Sequence, residues 1–215
     1  MLEAMTAKLF ILPTEKLSLC DPDFLPLLSE GRKEKIARLR AESEKKLSLG
    51  AELCLAAACA ELGLPIPPEY KSGETGKPEF SVSPPYFSLT HCDGFALCAV
   101  AHCELGLDAE PADRKVSPGV RRRLLAPGEI CPSPIWKWVE KESYVKLTGR
   151  GLSQGLSSFT TSGELVCAPS GDKLAYLTKL ELFGLCISIA TKAPLVSTET
   201  ELLTPEKHSG LLPKR

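Results

Sequence analysis

The 215-residue sequence lacks the features that mark several large classes of protein. Its formal net charge is only −1, so no overall attraction to nucleic acid or to a membrane is expected, and affinity for anions must come from local clusters. The most apolar stretch, residues 53–64, is interrupted by Glu61 and is too short to span a bilayer. The sequence contains neither the Gly-x-Ser-x-Gly motif of serine hydrolases nor a Walker-type phosphate loop or kinase signature.

Nine cysteines are present, but no two of them have the Cys-x-x-Cys spacing. Most lie in apolar runs such as Ala-Leu-Cys-Ala-Val at 96–100, where free thiols behave as small hydrophobic groups. The spacing therefore argues against a disulfide framework and against a thiol-rich metal or redox protein, which stays an alternative. Reduced thiols and the lack of a signal-peptide pattern predict a cytoplasmic location.

The distribution of predicted helices and strands indicates an α+β fold. Strands are predicted at 8–12, 87–89, 95–101, 104–110, 164–168, 173–182 and 184–191, and long helices at 32–62 and 133–148. We therefore predict two similar α+β halves packed together as a pseudo-dimer, each with a small antiparallel sheet and a long helix. The halves are assigned to residues 1–104 and 105–192, and a polar, flexible tail to 193–215.

Two carboxylates lie on one face of a predicted strand. Asp108 and Glu110 are two positions apart, and side chains at such positions point the same way. Adjacent carboxylates repel each other unless a cation lies between them, and hard oxygen ligands suit Mg²⁺. Taken alone, the pair also fits an ordinary solvent-exposed edge strand.

A second group of candidates lies on the helix predicted at 133–148. At 3.6 residues per turn, Trp138, Glu142 and Lys146 share one helical face. Glu142 can supply a third oxygen ligand, and Lys146 can contact a phosphate one turn further along. The alternative is an exposed salt bridge between these two residues, worth about 0.3–0.5 kcal/mol.

Two loops add groups that bind phosphate. Lys77 is held before Pro78 in a constrained Gly-Lys-Pro loop, and Thr90 and His91 lie between two predicted strands. A hydroxyl and an imidazole at that position can bind phosphate oxygens. A structural role for a single histidine at a strand end is the alternative.

The order and spacing of these segments resemble the surfactin-synthetase type of 4′-phosphopantetheinyl transferase. The matching segments are Gly-Lys-Pro at 76–78, Phe-Ser-Leu-Thr-His at 87–91, Leu-Gly-Leu-Asp-Ala-Glu at 105–110, Trp-Val-Glu-Lys-Glu-Ser-Tyr-Val-Lys at 138–146 and Gly-Arg-Gly-Leu at 149–152. The likeness covers residues from about 40 to about 190. Thr90 replaces a family serine but keeps its hydroxyl, Cys92 replaces another serine, and Ser143 replaces the usual alanine.

The resemblance implies a Mg²⁺-dependent holo-carrier-protein synthase. Such an enzyme transfers the 4′-phosphopantetheine moiety of coenzyme A to a serine of an apo acyl, peptidyl or polyketide carrier protein and releases adenosine 3′,5′-bisphosphate. A monomer with no nucleic-acid or membrane partner is expected. A non-catalytic module that binds coenzyme A or a carrier protein, and a different Mg²⁺ phosphotransferase, are the alternatives.

The resemblance also implies roles for individual residues. Asp108, Glu110 and Glu142 would hold Mg²⁺, and Glu142 and Lys146 would be catalytic, with Glu142 or a metal-bound water taking the proton of the carrier serine. The residues implied to bind coenzyme A are Lys45, Lys46, Lys77, Pro78, Thr90, His91, Asp108 and Lys146.

Overall fold

The computed structural model describes residues 5–204, which form an α+β fold and so confirm the predicted class. The α-helices within this range are α1 (Glu30–Arg38), α2 (Glu42–Leu62), α3 (Pro118–Leu124) and α4 (Pro134–Thr148). The strands are β1 (Thr6–Pro13), β2 (Tyr70–Ser72), β3 (Pro78–Phe80), β4 (Tyr86–Cys92), β5 (Phe95–Ala101), β6 (Leu105–Pro111), β7 (Thr160–Ser162), β8 (Leu165–Cys167), β9 (Lys173–Leu182), β10 (Leu185–Thr191) and β11 (Ser197–Leu202). None of the described helices combines the length and apolar character that crossing a membrane requires.

One sheet has the strand order β11-β1-β5-β4, and α2 packs on it. Its central strand β5 is apolar on both faces, because alternate side chains enter two different cores. Cys98 and Val100 belong to the core under α2, whereas Leu97 and Ala99 belong to a second core on the other side. This sheet is therefore covered on both faces.

The second sheet has the strand order β6-β10-β9-β8-β7, and α4 packs on β6 and β10. Leu107 on β6 and Ile187 and Ile189 on β10 share a core with Leu97 and Ala99 of the first sheet. The two sheets therefore contact each other through a common apolar layer. The opposite face of β6 is left for α4, which positions the candidate site.

The helix predicted at 32–62 is two helices. α1 ends at Arg38, the backbone is extended at Leu39, and α2 begins at Glu42. The break allows α1 to fold back on α2, where Nε of Arg32 donates to Oε2 of the buried Glu52 at 2.9 Å. The predicted end of α2 is confirmed, because Gly63 adopts a left-handed conformation that closes the helix.

The C-terminal prediction is wrong in part. Within the predicted flexible tail at 193–215, β11 pairs in parallel with β1, from Thr6 opposite Ser197 to Ile11 opposite Leu202. Its sequence, Ser-Thr-Glu-Thr-Glu-Leu, is mostly polar because this strand lies at the sheet edge. Residues 205–215 of the predicted tail lie outside the described residues.

Candidate functional site

The close approach of α4 to β6 builds the centre of the site. It takes place at Gly106, where an added Cβ would lie 2.1 Å from the Ser143 carbonyl oxygen and 2.2 Å from the Leu147 backbone nitrogen. Only glycine leaves room for the helix backbone at this distance. Asp108 follows two residues later on the same face of β6, so its carboxylate is brought beside α4.

Asp108 is buried and forms the central contacts of the site. Its Oδ1 accepts a hydrogen bond from Nζ of Lys146 at 2.7 Å and another from Oγ1 of Thr90 at 3.2 Å. Lys146 also donates to Oγ1 of Thr90 at 2.8 Å, which closes a triangle between β4, β6 and α4. The second oxygen, Oδ2, is buried and has no hydrogen-bond partner in the described part of the chain. An unpaired buried acceptor is costly by about 1–3 kcal/mol, and more when charged, so Oδ2 favours a bound cation.

The three predicted metal carboxylates are electrostatic neighbours. Burial raises the pKa of Glu142, and the negative charge of Asp108 raises it further, while Lys146 acts in the opposite direction. Burial likewise raises the pKa of Glu110, against the lowering effect of its ion pair with Arg114. Asp108 affects both of these glutamates, so the negative charges of β6 and α4 act on one another.

The carboxylates are not gathered into a finished metal site. Over residues 5–204, no group of three histidine, cysteine, aspartate or glutamate side chains has the arrangement of metal ligands. Lys146 pairs with Asp108 and Arg114 pairs with Glu110, so cations of the chain itself neutralise two of the three. The donor chemistry nevertheless fits a hard divalent cation, because all three groups are carboxylates and Oδ2 of Asp108 is free to bind one.

Glu142 and Lys146 open onto a cavity of about 350 Å³, which Lys77, Gly149 and Gly151 also line. A larger cavity of about 570 Å³ shares Lys77 with it. Glu110 instead lines a third cavity of about 330 Å³ with His91 and Arg114. Glu110 and Glu142 therefore face different openings, and the buried Asp108 is the carboxylate that interacts with both.

The predicted Gly-Lys-Pro loop reaches the site through Lys77. Its ammonium donates to the Leu105 carbonyl oxygen on β6 at 2.7 Å and to the Leu147 carbonyl oxygen on α4 at 3.4 Å. Burial lowers the pKa of Lys77. Pro78 follows as the first residue of β3 and lines both cavities next to Lys77. The loop is thus tied to the elements that carry Asp108 and Lys146.

His91 lies within β4 rather than between two strands, because β4 continues to Cys92. The residue is exposed at the surface, yet partial burial lowers its pKa, and the positive charges of Lys146, Lys35 and Arg32 lower it further. The N-terminal helix α1 therefore brings two cations towards His91. Such a cluster attracts anions.

Arg32 and Lys35 are the residues of this cluster that the sequence prediction did not select. The resemblance implies Lys45 and Lys46 of the same basic run as coenzyme A contacts. Lys46 instead pairs with Glu42 at 3.1 Å and donates to the Glu15 carbonyl oxygen at 3.2 Å. The basic run in the sequence indicates that cations lie in this region. Which of its residues approach His91 depends on the folding of α1 onto α2, and that contact joins residues distant in sequence.

Comparison with known proteins identifies three similar sequences. The chain is 29% identical over 150 residues to a 4′-phosphopantetheinyl transferase of Bacillus subtilis, a match that covers 62% of this chain and 65% of that protein. It is 33% identical over 102 residues to the 4′-phosphopantetheinyl transferase psf-1 of Bacillus pumilus, covering 42% and 44% of the two chains. It is 42% identical over 74 residues to the 4′-phosphopantetheinyl transferase Npt of Nocardia iowensis, covering 33% and 32%.

The chain thus matches less than two thirds of the length of each of these relatives. No family model matches it. The resemblance of this chain to the 4′-phosphopantetheinyl transferase superfamily, predicted from its motifs, is confirmed by its similarity to these three proteins.

Proposed function

We propose that the protein is a 4′-phosphopantetheinyl transferase of the holo-carrier-protein synthase type. It transfers the phosphopantetheine arm of coenzyme A to a serine of an apo acyl, peptidyl or polyketide carrier protein and releases adenosine 3′,5′-bisphosphate. The observation that carries this proposal is the contact between β6 and α4, where Asp108, Glu142 and Lys146 meet beside a cleft. A cytoplasmic monomer is part of the same proposal.

The proposal includes two similar halves, residues 1–104 and 105–192, packed as a pseudo-dimer. This part of the proposal is supported because each half contains the same arrangement of three antiparallel strands and a long helix. In the first half, α2 follows β1, and β5 pairs antiparallel with both β1 and β4. In the second half, α4 follows β6, and β10 pairs antiparallel with both β6 and β9.

Asp108, Glu110 and Glu142 are the proposed ligands of Mg²⁺. The buried, unpaired Oδ2 of Asp108 and the raised pKa values of both glutamates support a place for positive charge here. When bound, the ion would reduce the negative charge of the coenzyme A diphosphate, which builds up as the phosphoryl group is transferred.

The remaining chemistry falls to side chains of the chain. The hydroxyl oxygen of the carrier serine forms a bond to the β-phosphorus, and the bond from that phosphorus to adenosine bisphosphate breaks. Glu142, which lines the cleft beside Lys146, takes the hydroxyl proton. Lys146, which is partly exposed at the cleft, stabilises the charge on the phosphate oxygens.

The other proposed contacts to coenzyme A form two groups. Lys77 and Pro78 line the cavity beside Lys146, and Thr90 and His91 lie on the neighbouring strand. Burial lowers the His91 pKa first, and the nearby cations lower it further; those cations support an anion site here, to which we add Arg32 and Lys35. The 3′-phosphate remains assigned to the basic run, including Lys45 and Lys46.

Intact-mass measurement of an apo carrier protein tests the proposal. After incubation with coenzyme A, Mg²⁺ and this protein, the carrier is expected to gain the mass of one phosphopantetheine group. Removing the metal with EDTA, or replacing Glu142 with glutamine, should abolish the gain. Glu44→Gln, at an exposed position of α2, is the matched control and should transfer as the unmodified protein does.

The assay also separates the alternatives. Unchanged mass for acyl, peptidyl and polyketide carriers, together with measurable binding of coenzyme A, would contradict catalysis and favour a binding module. Transfer by Glu142→Gln at the unmodified rate would leave the function in place but remove Glu142 from the mechanism.

A further inference from the structure

The residue that precedes Glu142 is a fully buried lysine with no part in the proposed chemistry. The side chain of Lys141 is 0% exposed. Its ammonium donates three hydrogen bonds, to Oε2 of Glu129 at 2.6 Å, to the Leu156 carbonyl oxygen at 2.8 Å and to the Phe159 carbonyl oxygen at 2.7 Å. An ammonium has three donors, so all of them are used.

A charge buried in this way is costly unless it is fully paired. Glu129 supplies the opposite charge and is itself fixed by backbone donors, at 2.7 Å from the Thr161 nitrogen and 2.9 Å from the Ala126 nitrogen. Lys137 joins the same cluster through the Thr161 carbonyl oxygen at 2.7 Å. The cluster therefore links α4 to the segment before it and to β7 after it.

Two of the three Lys141 hydrogen bonds go to the segment 150–159, which joins α4 to β7. This segment contains two short 3₁₀ turns, Gly151–Gln154 and Leu156–Ser158. It is the segment whose Gly151 lines the cavity of Glu142 and Lys146, next to Gly149 at the end of α4. Nothing else about the segment is regular, so its position depends on such side-chain contacts.

We infer that Lys141 is a positioning residue: by holding the Leu156 and Phe159 carbonyl groups, it fixes segment 150–159 as a wall of the cavity beside Glu142. The expected effect on coenzyme A rests on the proposed function. The role of Lys141 in holding segment 150–159 in place does not depend on that function. Lys141 touches neither substrate nor metal in this role. Its loss should lower coenzyme A affinity by about ten- to hundredfold, the size of effect known for the loss of groups that orient metal-binding side chains.

The test must avoid leaving Glu129 without its nearer cation, because Lys137 lies 3.3 Å from it and Lys141 only 2.6 Å. The double variant Glu129→Gln/Lys141→Met removes both charges at once and leaves the two carbonyl groups without their donor. Lys173→Met, at an exposed position of β9, is the matched control. Hydrogen exchange of residues 150–159, the dissociation constant of coenzyme A from calorimetry, and the melting temperature are measured for each protein.

The double variant is expected to melt at a lower temperature, because the Leu156 and Phe159 carbonyl groups lose their donor. It is also expected to exchange amide hydrogens in 150–159 at least about tenfold faster and to bind coenzyme A at least about tenfold more weakly. Unchanged exchange and affinity with a lowered melting temperature would overturn the inference, because Lys141 would then serve stability alone. If the protein without substitutions transferred no phosphopantetheine to a carrier, the proposed function would be refuted. The hydrogen-exchange measurement would still decide the role of Lys141.

A second variant covers the case in which the double variant does not fold. Gln154 receives a hydrogen bond from the Thr148 hydroxyl and is another tie between α4 and the same segment. Gln154→Ala removes this tie without disturbing a buried charge. Amide exchange in 150–159 should therefore become faster and coenzyme A binding weaker, but by less than in the double variant. If Gln154→Ala had the same amide exchange and the same coenzyme A affinity as the protein without substitutions, the cavity wall would not depend on these ties.

Discussion

Replacing Gly106 with alanine is expected to push α4 away from β6. The new Cβ would lie 2.1 Å from the Ser143 carbonyl oxygen and 2.2 Å from the Leu147 nitrogen, whereas such contacts are essentially never under 3.0 Å. The helix must therefore move by about 0.9 Å or more, because both obstructing atoms belong to its backbone. Overpacking of this kind lowers the free energy of unfolding by about 1–3 kcal/mol.

The displacement should affect activity more than stability, because α4 carries Glu142 and Lys146. A misplacement of about 1 Å in a catalytic group lowers the rate by about a hundredfold. Urea unfolding measures the first effect, and the rate of mass gain by an apo carrier measures the second. Gly119→Ala in α3 is the control, because an added Cβ there has no neighbour within 4 Å.

The control should keep full activity and gain up to about 1 kcal/mol of stability, as expected for glycine to alanine within a helix. If Gly106→Ala matched the unmodified protein in both unfolding and transfer, the helix would not lie against the strand in the way that places Asp108 beside Lys146.

Three further predictions concern single side chains. Ser143→Ala should lower the free energy of unfolding by about 1–3 kcal/mol in urea denaturation, because it removes the 2.9 Å partner of the buried Ser188 hydroxyl. The double variant Ser143→Ala/Ser188→Ala should recover most of the lost stability. Equal stability of the single and double variants would contradict the pairing. NMR titration should give His91 a pKa below 6.5 in the free protein, and this pKa should rise when coenzyme A binds. His91 should therefore stabilise the protein above pH 6.5 and lose this contribution as the pH falls through its folded pKa. A pKa above 6.5 in the free protein would contradict the prediction. Lys146→Ala should lower the transfer rate at least about a hundredfold; a change confined to the melting temperature would reduce the contact with Asp108 to a structural ion pair.

The parts of the site that follow from local periodicity could be predicted from the sequence. Asp108 and Glu110 share a strand, and Glu142 and Lys146 share a helical face, because spacings of two and four residues fix these relations. The bounds of α4 and β6 agree with the prediction to within a residue or two for the same reason. The contact between the two elements follows from Gly106, whose role the sequence pattern does not reveal.

The parts that depend on distant contacts could not be predicted. Arg32 lies near His91 because a buried ion pair with Glu52, twenty residues away, folds α1 onto α2. Strand β11 is polar and takes its structure from pairing with β1 at the other end of the chain. The sequence does not show that Lys141 is buried, because an exposed lysine in this motif would look the same and its three partners lie outside the helix, in the two segments that contain Glu129 and residues 150–159.

Anomalous diffraction from crystals grown with coenzyme A and Mn²⁺, as a substitute for Mg²⁺, tests the proposed centre most directly. We expect one strong peak in coordination distance of Oδ2 of Asp108 and of one oxygen each of Glu110 and Glu142, adjacent to the diphosphate and close to Lys146. A peak elsewhere, or coenzyme A bound with no metal near Asp108, would contradict the assignment of these carboxylates as the metal-binding group of a transferase.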